Sequence, residues 1–388
     1  MEFPSRKLGS KGVEIMGEEK YVKISGTGSF LPGDPVPFEK IEDTLGHILG
    51  ASNKVVKWMA RTKSVMNEIL DIDYCHYAID PKTKERTEDL ITMSVKASKP
   101  ALEAANVKAE DIELIVFGSP LMEQIPPATT RIQEALGIDT CAEIAVHSNC
   151  TSAYKALMIA FDMVRNGRFK NALVITTSIN SSMLRADFYN QALLKSEDVF
   201  LRWFLCDGSG AMVLEPSEAK ANGLFIDNVY NESIGGRKPS AMHNGFPAHF
   251  VNPLDAFNHG YHHVCQMFKS ELGENMRDSN GRIIFTNGLA RMVDKYHIDL
   301  SKVRFFQINM PAKHVVENIL SECEAVLGLS RKVVYTKISK MGYAGPPAAF
   351  IALDKIFREE VLNKGDLIVS FVTEVSKFMQ AGFTLCYC

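Results

Sequence analysis

The sequence lacks the features by which nucleic-acid-binding and membrane proteins are recognised. Its 388 residues carry a net charge of −3 with no stripe of lysine and arginine, which argues against a nucleic-acid partner. No apolar run reaches the roughly 18 residues that a membrane span needs, so none is expected. Residues 1–20 are polar, lack the apolar centre of a secretory signal and are predicted to form a flexible arm or to be an expression remnant. We therefore expect a cytoplasmic protein.

The C-x-x-C pairs that mark zinc and disulfide-exchange sites are also missing. The eight cysteines are scattered with no C-x-x-C pair, which argues against a structural zinc site and, at this length, against a disulfide scaffold. A phosphate-binding loop has little support, because Gly26 and Gly28 precede Phe30-Leu31-Pro32 and no Gly-Lys-Ser/Thr follows. We interpret the two glycines as a plain turn after a strand that begins at Tyr21.

What the chain does contain is an ordinary globular composition, 46% hydrophobic and 23% charged. Short apolar strands alternate with helical patterns, which predicts an α/β fold with a parallel or mixed sheet covered by helices. The order of elements in 21–218 is repeated in 223–388 across a polar junction. We therefore expect an N-terminal and a C-terminal half of similar architecture.

One stretch of the first half suggests chemistry, a tight turn around Cys150. The apolar run over 142–146 predicts a buried strand, and apolar residues recur at helical spacing over 156–164. This places Cys150 at a helix N-terminus, where unpaired N–H groups and the helix dipole favour thiolate, the nucleophilic form. The same residue also suits a buried structural role, because free cysteine is among the most buried residue types.

Five stretches, taken in order, carry a family resemblance: 24–32, 128–137, Cys150 with the helix after it, 166–174, and the turn Cys206-Asp207-Gly208-Ser209-Gly210-Ala211. As a set they resemble the thiolase-fold condensing enzymes, in particular the ketoacyl synthase III branch, from about Tyr21 to Cys388. The resemblance implies an αβαβα layering of two pseudo-symmetric halves, a homodimer, and Cys150 as the nucleophile.

The chemistry comes with the resemblance. Cys150 would take an acyl group from an acyl-CoA or acyl-carrier-protein thioester, with its own N–H as one oxyanion donor. The acyl-enzyme would then be attacked by a second substrate, often a carbanion from a malonyl thioester. No metal or nucleotide redox cofactor is implied.

The second half departs from the family pattern, which supplies a histidine and an asparagine there. The histidine position falls on Asn309, or on Phe306 in a shifted register, and the asparagine position falls on Tyr343. Asn309 can donate a hydrogen bond to a thioester oxygen but cannot be a general base, whereas Tyr343 offers one phenolic O–H to orient a carbonyl. We expect both residues to line the reaction chamber, with the decarboxylation machinery altered.

Two carboxylates offer a substitute base. Glu374 lies in the segment 372–377, which replaces the family's C-terminal glycine-rich loop, and it is the predicted base for an acceptor or for the α-carbon of an acyl thioester. Glu123 is a second candidate, in a loop that approaches the partner subunit's pocket in the family. Either carboxylate could instead be solvated on its loop.

The segment 258–263 is the other source of polar groups near the predicted acyl pocket. Asn258 begins this segment, which overlies a pocket-lining segment of the family, and Asn258 is predicted to bind substrate. His262 and His263 suggest a metal, but no local carboxylate or cysteine pattern completes a site. Surface or packing roles are therefore expected for the histidines, and no metal is predicted.

From these observations we expect a dimeric acyltransferase of a specialised acyl or polyketide pathway. A non-catalytic subunit that pairs with an active homologue is the main alternative, because both second-half partners of the nucleophile are changed. A thioesterase-like hydrolase that uses Cys150 is a third possibility.

Overall fold

The computed structural model describes residues 20–121, 125–243, 253–260, 262–310 and 313–388. Its strands are β1 (Tyr21–Phe30), β2 (Val36–Pro37), β3 (Tyr74–Cys75), β4 (Leu114–Ser119), β5 (Ala142–His147), β6 (Ala172–Ile179), β7 (Asp207–Ser217), β8 (Leu224–Ser233), β9 (Met242–His243), β10 (Cys265–Gln266), β11 (Val303–Gln307), β12 (Val334–Tyr335), β13 (Leu367–Glu374) and β14 (Met379–Tyr387). Its helices are α1 (Ile41–Leu45), α2 (Asn53–Leu70), α3 (Leu90–Ala105), α4 (Ala128–Leu136), α5 (Ser152–Arg165), α6 (Ser181–Leu184), α7 (Pro253–Asn258), α8 (Lys269–Asn275), α9 (Ile284–Tyr296), α10 (Lys313–Leu327), α11 (Ile338–Met341) and α12 (Pro347–Glu359).

Ten strands pair in the order β12-β11-β13-β14-β8-β1-β7-β6-β4-β5. The order is symmetric about the β8–β1 contact, with β8, β14, β13, β11 and β12 mirroring β1, β7, β6, β4 and β5. Only three residues of β1, Val22 to Ile24, pair with β8, so the two five-stranded sheets meet along a short antiparallel seam. The predicted junction after residue 218 falls between β7 and β8.

Helices fill the space between the two sheets and cover their outer faces. Helices α5 and α12 contribute Leu157 and Leu353 to a core that also holds Met212 of β7 and Phe383 of β14. Helices α3 and α4 pack on the outside of the first sheet, and α9 and α10 pack on the outside of the second. The layers therefore run helix, sheet, helix, sheet, helix, because each sheet needs apolar cover on both faces.

The two glycines after Tyr21 lie in β1 itself, so the predicted turn is wrong. A Cβ on Gly26 would lie 2.1 Å from the Ala101 carbonyl oxygen, and one on Gly28 would lie 2.2 Å from that of Ala97. Both carbonyls belong to α3. The glycines let a helix pack closely on a strand, which is a second reason for glycine in a strand besides a turn.

The strand before Cys150 differs from the expectation of a buried strand. Strand β5 is an edge strand that pairs only with β4, and Ala145 and His147 on it are exposed. Its apolar residues had indicated burial, but an edge strand keeps one side unpaired.

Within the described ranges, no helix has the length and apolar character that crossing a membrane requires.

Candidate active site

The Cys150 turn forms as the sequence predicts, at the N-terminus of α5. Strand β5 ends at His147, helix α5 begins at Ser152, and the Ser152 N–H donates to the Asn149 carbonyl across 2.9 Å. The Cys150 side chain is half-buried. Thr151 is the residue before the helix, but its hydroxyl does not cap the helix, because it is directed to another partner.

Tyr343 provides a polar contact to Cys150, the predicted nucleophile. Its phenol donates a hydrogen bond to the Cys150 Sγ across 3.0 Å, over a separation of 193 residues in the chain. The loop that carries it is anchored where the Tyr343 N–H donates to the Phe204 carbonyl. Gly342 has a φ of +70°, and a Cβ there would lie 2.9 Å from the Cys206 Sγ, so the loop requires glycine at this point.

Glu374, the last residue of β13, is buried beneath the same turn. Its Oε2 accepts hydrogen bonds from the Ser148 hydroxyl (3.1 Å), the Thr151 N–H (3.0 Å) and the Thr151 hydroxyl (2.6 Å). Its Oε1 accepts one from the Ser376 hydroxyl across 2.6 Å. The carboxylate thus occupies the N-terminus of α5, where the helix dipole favours negative charge.

A lysine that the sequence did not single out joins this network. The Lys155 Nζ donates to the Ser148 hydroxyl across 2.8 Å, and that hydroxyl donates to Glu374. Lys155 lies one turn into α5, so its side chain returns over the helix N-terminus. The sequence signal for this contact was the seven-residue spacing between Ser148 and Lys155 across the turn. That spacing indicates a network only when the position of Glu374 in the fold is known.

The Cys150 thiol is neutral at rest, contrary to the expectation drawn from the helix N-terminus. Burial raises the pKa of Cys150 to about 12, and the negative charge of Glu374 raises it further in the same direction. The Tyr343 phenol and the Cys150 N–H act against both effects by donating to the sulfur. Desolvation and a like charge therefore outweigh the helix dipole.

Asn309 lies two residues beyond β11 and is buried. Burial raises the pKa of the nearby Tyr154 phenol, while the Ser370 hydroxyl and the Asn309 amide act in the opposite direction. This contact with Tyr154 falls short of hydrogen-bond geometry, and the Asn309 Nδ2 has no full hydrogen bond with any described residue. A buried amide donor that is not fully satisfied costs free energy.

The structure thus brings together Cys150, Tyr343 and Glu374 by direct hydrogen bonds or through the same turn, with Asn309 and Tyr154 beside them. Asn258 is exposed at the end of α7, and none of the hydrogen bonds between described residues connects it to this group. Glu123 lies outside the described residues.

The structure places a carboxylate and a cysteine beside one histidine of 258–263, where the sequence pattern indicated no completed site. Asp198 and Cys265 lie beside His263, and one potential ligand atom from each lies within 4.8 Å of the other two. Asp198 is 65 residues away in the chain, so sequence spacing could not reveal the group. His262 does not belong to it, because its Nε2 pairs with the Phe188 carbonyl across 2.5 Å.

Comparisons with known proteins agree with the fold and the turn. The family model of 3-oxoacyl-[acyl-carrier-protein] synthase III matches residues 144–231, which include Cys150. The beta-ketoacyl-[acyl-carrier-protein] synthase III of Clostridium perfringens is 25% identical over 358 residues, spanning 90% of this chain and 94% of that protein.

Two solved structures illustrate the likeness in three dimensions. The 3-oxoacyl-[acyl-carrier-protein] synthase III of Aquifex aeolicus has a TM-score of 0.70 and 20% identity, covering 94% of this chain and 100% of that one. Xanthomonas campestris OleA with bound lauric acid and lauroyl-CoA has a TM-score of 0.73 and 15% identity, covering 95% of this chain and 100% of that one. The predicted layered fold of two similar halves is confirmed.

Proposed function

We propose a reaction for this chain on the premise that it is a ketoacyl synthase III-like acyltransferase of the thiolase fold. The Cys150 sulfur attacks the carbonyl carbon of an acyl-CoA or acyl-carrier-protein thioester and forms an acyl-cysteine. The bond from the carbonyl carbon to the carrier sulfur breaks, and the carrier thiolate takes up the proton that Cys150 gives up. A second substrate then receives the acyl group.

The residues around Cys150 support distinct parts of the first step. The Tyr343 phenol donates to the Cys150 sulfur and so favours thiolate as the proton departs. The Cys150 N–H and the Asn309 Nδ2 are the donors we assign to the developing oxyanion. Neither Asn309 nor Tyr343 supplies the proton transfer near neutral pH that a general base needs.

Glu374 is the base that we assign to the second step. It is a buried carboxylate at the nucleophile turn, and its Oε1 accepts only the Ser376 hydroxyl among the described residues, so that oxygen has a lone pair to spare. Deprotonation of the acceptor, or of the α-carbon of an acyl thioester, would replace the family's route through a decarboxylating malonyl group. This supports a specialised acyl or polyketide pathway over bulk fatty-acid initiation.

The observation that carries the proposal is the 3.0 Å contact between the Tyr343 phenol and the Cys150 sulfur, since a purely structural cysteine needs no such donor. The test is intact-mass measurement after incubation with a panel of acyl-CoA and acyl-carrier thioesters. We expect an acyl adduct that Cys150→Ala abolishes and that the half-buried Cys141, replaced by Ala as a control, does not affect. Free acid released without an acceptor would favour hydrolysis instead.

A non-catalytic subunit paired with an active homologue is the second candidate. It is favoured by the neutral resting thiol, whose pKa is raised to about 12 by burial and by Glu374. Absence of an adduct with every thioester, together with stable binding to a homologous subunit, would establish it.

The proposal extends to the oligomeric state of the protein and to its cellular compartment. We assign a homodimer, because the exposed edge of β5 beside the nucleophile offers unpaired backbone groups to a second copy. The reaction as written needs no cofactor beyond the thioester carrier, and the cytoplasm, where cysteines stay reduced, suits the eight free thiols.

A further inference from the structure

A second group of reactive side chains lies apart from Cys150. Asp198 belongs to the 3₁₀ segment Glu197–Trp203, Cys265 is the first residue of β10, and His263 precedes it by two residues. We call Asp198, His263 and Cys265 the 263 cluster. The side chains of Asp198 and His263 are almost wholly buried, and that of Cys265 is half-buried.

The polar groups of the 263 cluster are not satisfied by the protein alone. Neither ring nitrogen of His263 forms a hydrogen bond with a described residue, although the side chain is only 1% exposed. Across the described ranges, no lysine or arginine lies within ion-pair distance of the Asp198 carboxylate. The His263 imidazole, 3.6 Å away, is the one group at ion-pair distance from the Asp198 carboxylate in the described part of the chain. A buried imidazole without a hydrogen bond is costly, so a positive ion bound between the two side chains would stabilise both.

The Asp198 carboxylate is nevertheless held in a fixed orientation. Its Oδ2 accepts the Lys195 N–H across 3.0 Å, and its Oδ1 accepts the Gln266 N–H across 3.2 Å. The Gln266 side chain also donates to the Glu197 carbonyl, which fastens β10 to the 3₁₀ segment. Hydrogen bonds of this kind orient a carboxylate ligand in metal sites.

The distance between the His263 imidazole and the Asp198 carboxylate fits two ligands of one metal ion better than it fits a hydrogen bond. The His263 Nε2 lies 3.6 Å from the Asp198 Oδ2, which is too long for a hydrogen bond. Two ligands at about 2.1 Å from one tetrahedral zinc ion are about 3.4 Å apart. The Cys265 sulfur lies within 4.8 Å of a ring nitrogen of His263 and of a carboxylate oxygen of Asp198, so rotation of its half-buried side chain completes the set.

We propose that the 263 cluster binds one Zn²⁺ through Asp198 Oδ2, His263 Nε2 and Cys265 Sγ, with water in the fourth position. Imidazole and thiolate are ligands that Zn²⁺ prefers, whereas Mg²⁺ and Ca²⁺ prefer oxygen. Binding forms a sulfur–zinc bond, and the Cys265 thiol proton passes to solvent. One carboxylate and one thiolate balance the two positive charges of the ion.

The ion would tie β10 to a wall of the reaction chamber. The 3₁₀ segment that carries Asp198 is followed by Phe204, whose ring centroid lies 6.4 Å from that of Tyr343. Tyr189 packs against His263 with the rings tilted by 48° and a centroid separation of 5.3 Å, and it belongs to the same apolar cluster as Tyr343. The role is therefore structural, and the site does not depend on the acyl chemistry proposed for Cys150.

The test measures metal in the full-length chain. After expression with zinc and dialysis without chelator, we expect one Zn²⁺ per chain by elemental analysis. Replacement by Co²⁺ should give the visible absorption of a tetrahedral site together with a thiolate-to-cobalt charge-transfer band. A wild-type chain that retains no zinc and gives no such band overturns the proposal without any variant.

Variants locate the ion. Cys265→Ser and His263→Ala should each lose the zinc, and Cys265→Ser should also lose the charge-transfer band. Cys386→Ser/Cys388→Ser is the matched control, because these two sulfurs lie 3.2 Å apart and a close pair of thiols is an alternative place for zinc. Loss of zinc in that control, with retention in Cys265→Ser, places the ion elsewhere and overturns the proposal. Circular dichroism of each variant checks that loss of metal is not loss of fold.

Discussion

The phenol of Tyr343 donates to the sulfur of Cys150 across 3.0 Å, from a loop 193 residues further along the chain. A histidine in this chamber would exchange protons, whereas a tyrosine can only donate to a sulfur that becomes negative. The contact therefore stabilises the thiolate without generating it. Glu374 acts on the same sulfur in the opposite direction, so the two residues have opposing effects on the pKa of the Cys150 thiol.

Tyr343→Phe should raise the pKa of the Cys150 thiol above its value of about 12. Loss of a hydrogen bond to a charged group costs about 1.5–3 kcal/mol, which corresponds to about 1–2 pKa units. Below the thiol pKa, alkylation at a fixed pH should therefore slow by about tenfold or more. The measurement is the iodoacetamide rate at Cys150 against pH, followed by intact mass.

Tyr335→Phe is the control for that experiment, because its phenol is buried and forms no hydrogen bond with the described residues. The alkylation rate should not change in this variant. Equal slowing in both would mean that the Tyr343 contact does not act on the sulfur.

Glu374→Gln should shift the Cys150 pKa in the other direction, downward, because the negative charge that opposes thiolate is removed. Alkylation at a fixed pH should accelerate, while transfer of the acyl group to an acceptor should be lost if Glu374 is the base. Pre-steady-state mass measurement separates formation of the acyl-cysteine from its consumption.

Ser376→Ala provides the comparison for the transfer step, since it removes a donor to Glu374 and keeps the carboxylate. Transfer should persist in this variant. Unchanged turnover in Glu374→Gln would remove the carboxylate from the mechanism and leave it the role of fixing the turn.

Gly342→Ala should destabilise the Tyr343 loop. The residue has a φ of +70°, and the new Cβ would lie 2.9 Å from the Cys206 Sγ and 3.0 Å from the Cys75 Sγ. Backbone strain of about 1–2 kcal/mol then adds to an overpacking cost of about 1–3 kcal/mol. Gly137→Ala isolates the first contribution, because its φ is +72° and nothing lies within 4 Å. Denaturant titration should show a larger loss in the free energy of unfolding for Gly342→Ala than for Gly137→Ala. Equal losses would mean that the two sulfur atoms move aside without a measurable energetic cost.

Ala145→Lys should dissociate the proposed homodimer, because Ala145 is exposed on the edge strand β5, where a charge opposes pairing with another strand. Light scattering after gel filtration gives the molar mass. Val65→Lys is a matched change at an exposed position of α2 and should leave the mass unchanged. A wild-type chain that is monomeric at all concentrations would exclude the dimer.

Much of the fold could be predicted because alternating strands and helices leave a periodic signal in the sequence. The place of Cys150 at a helix N-terminus followed from the same signal. The partial exposure of β5 could not be predicted, because an apolar strand at the edge of a sheet and one at its centre have the same composition. The turn predicted at Gly26 and Gly28 is wrong for a similar reason, because a close helix–strand contact and a turn both favour glycine.

The chemistry of the site was harder to predict because it depends on contacts between distant parts of the chain. A helix N-terminus favours thiolate in isolation, yet Glu374 fills that position and raises the Cys150 pKa. The 263 cluster needed Asp198, which no local spacing connects to His263. Local patterns thus predict Cys150 as the candidate nucleophile, whereas the groups that contact it come from distant segments of the chain.

The hydrogen bonds between the Cys150 turn and Glu374 have a consequence for a chain that is still being translated. The Thr151 N–H and the Ser148 hydroxyl are held by a carboxylate 223 and 226 residues further along, at the end of the penultimate strand. A nascent chain that has completed its first sheet therefore carries Cys150 without either of its controlling partners. On the proposed function, competence for acylation therefore arises only when translation has nearly finished, and unfinished or truncated chains are not expected to sequester acyl thioesters.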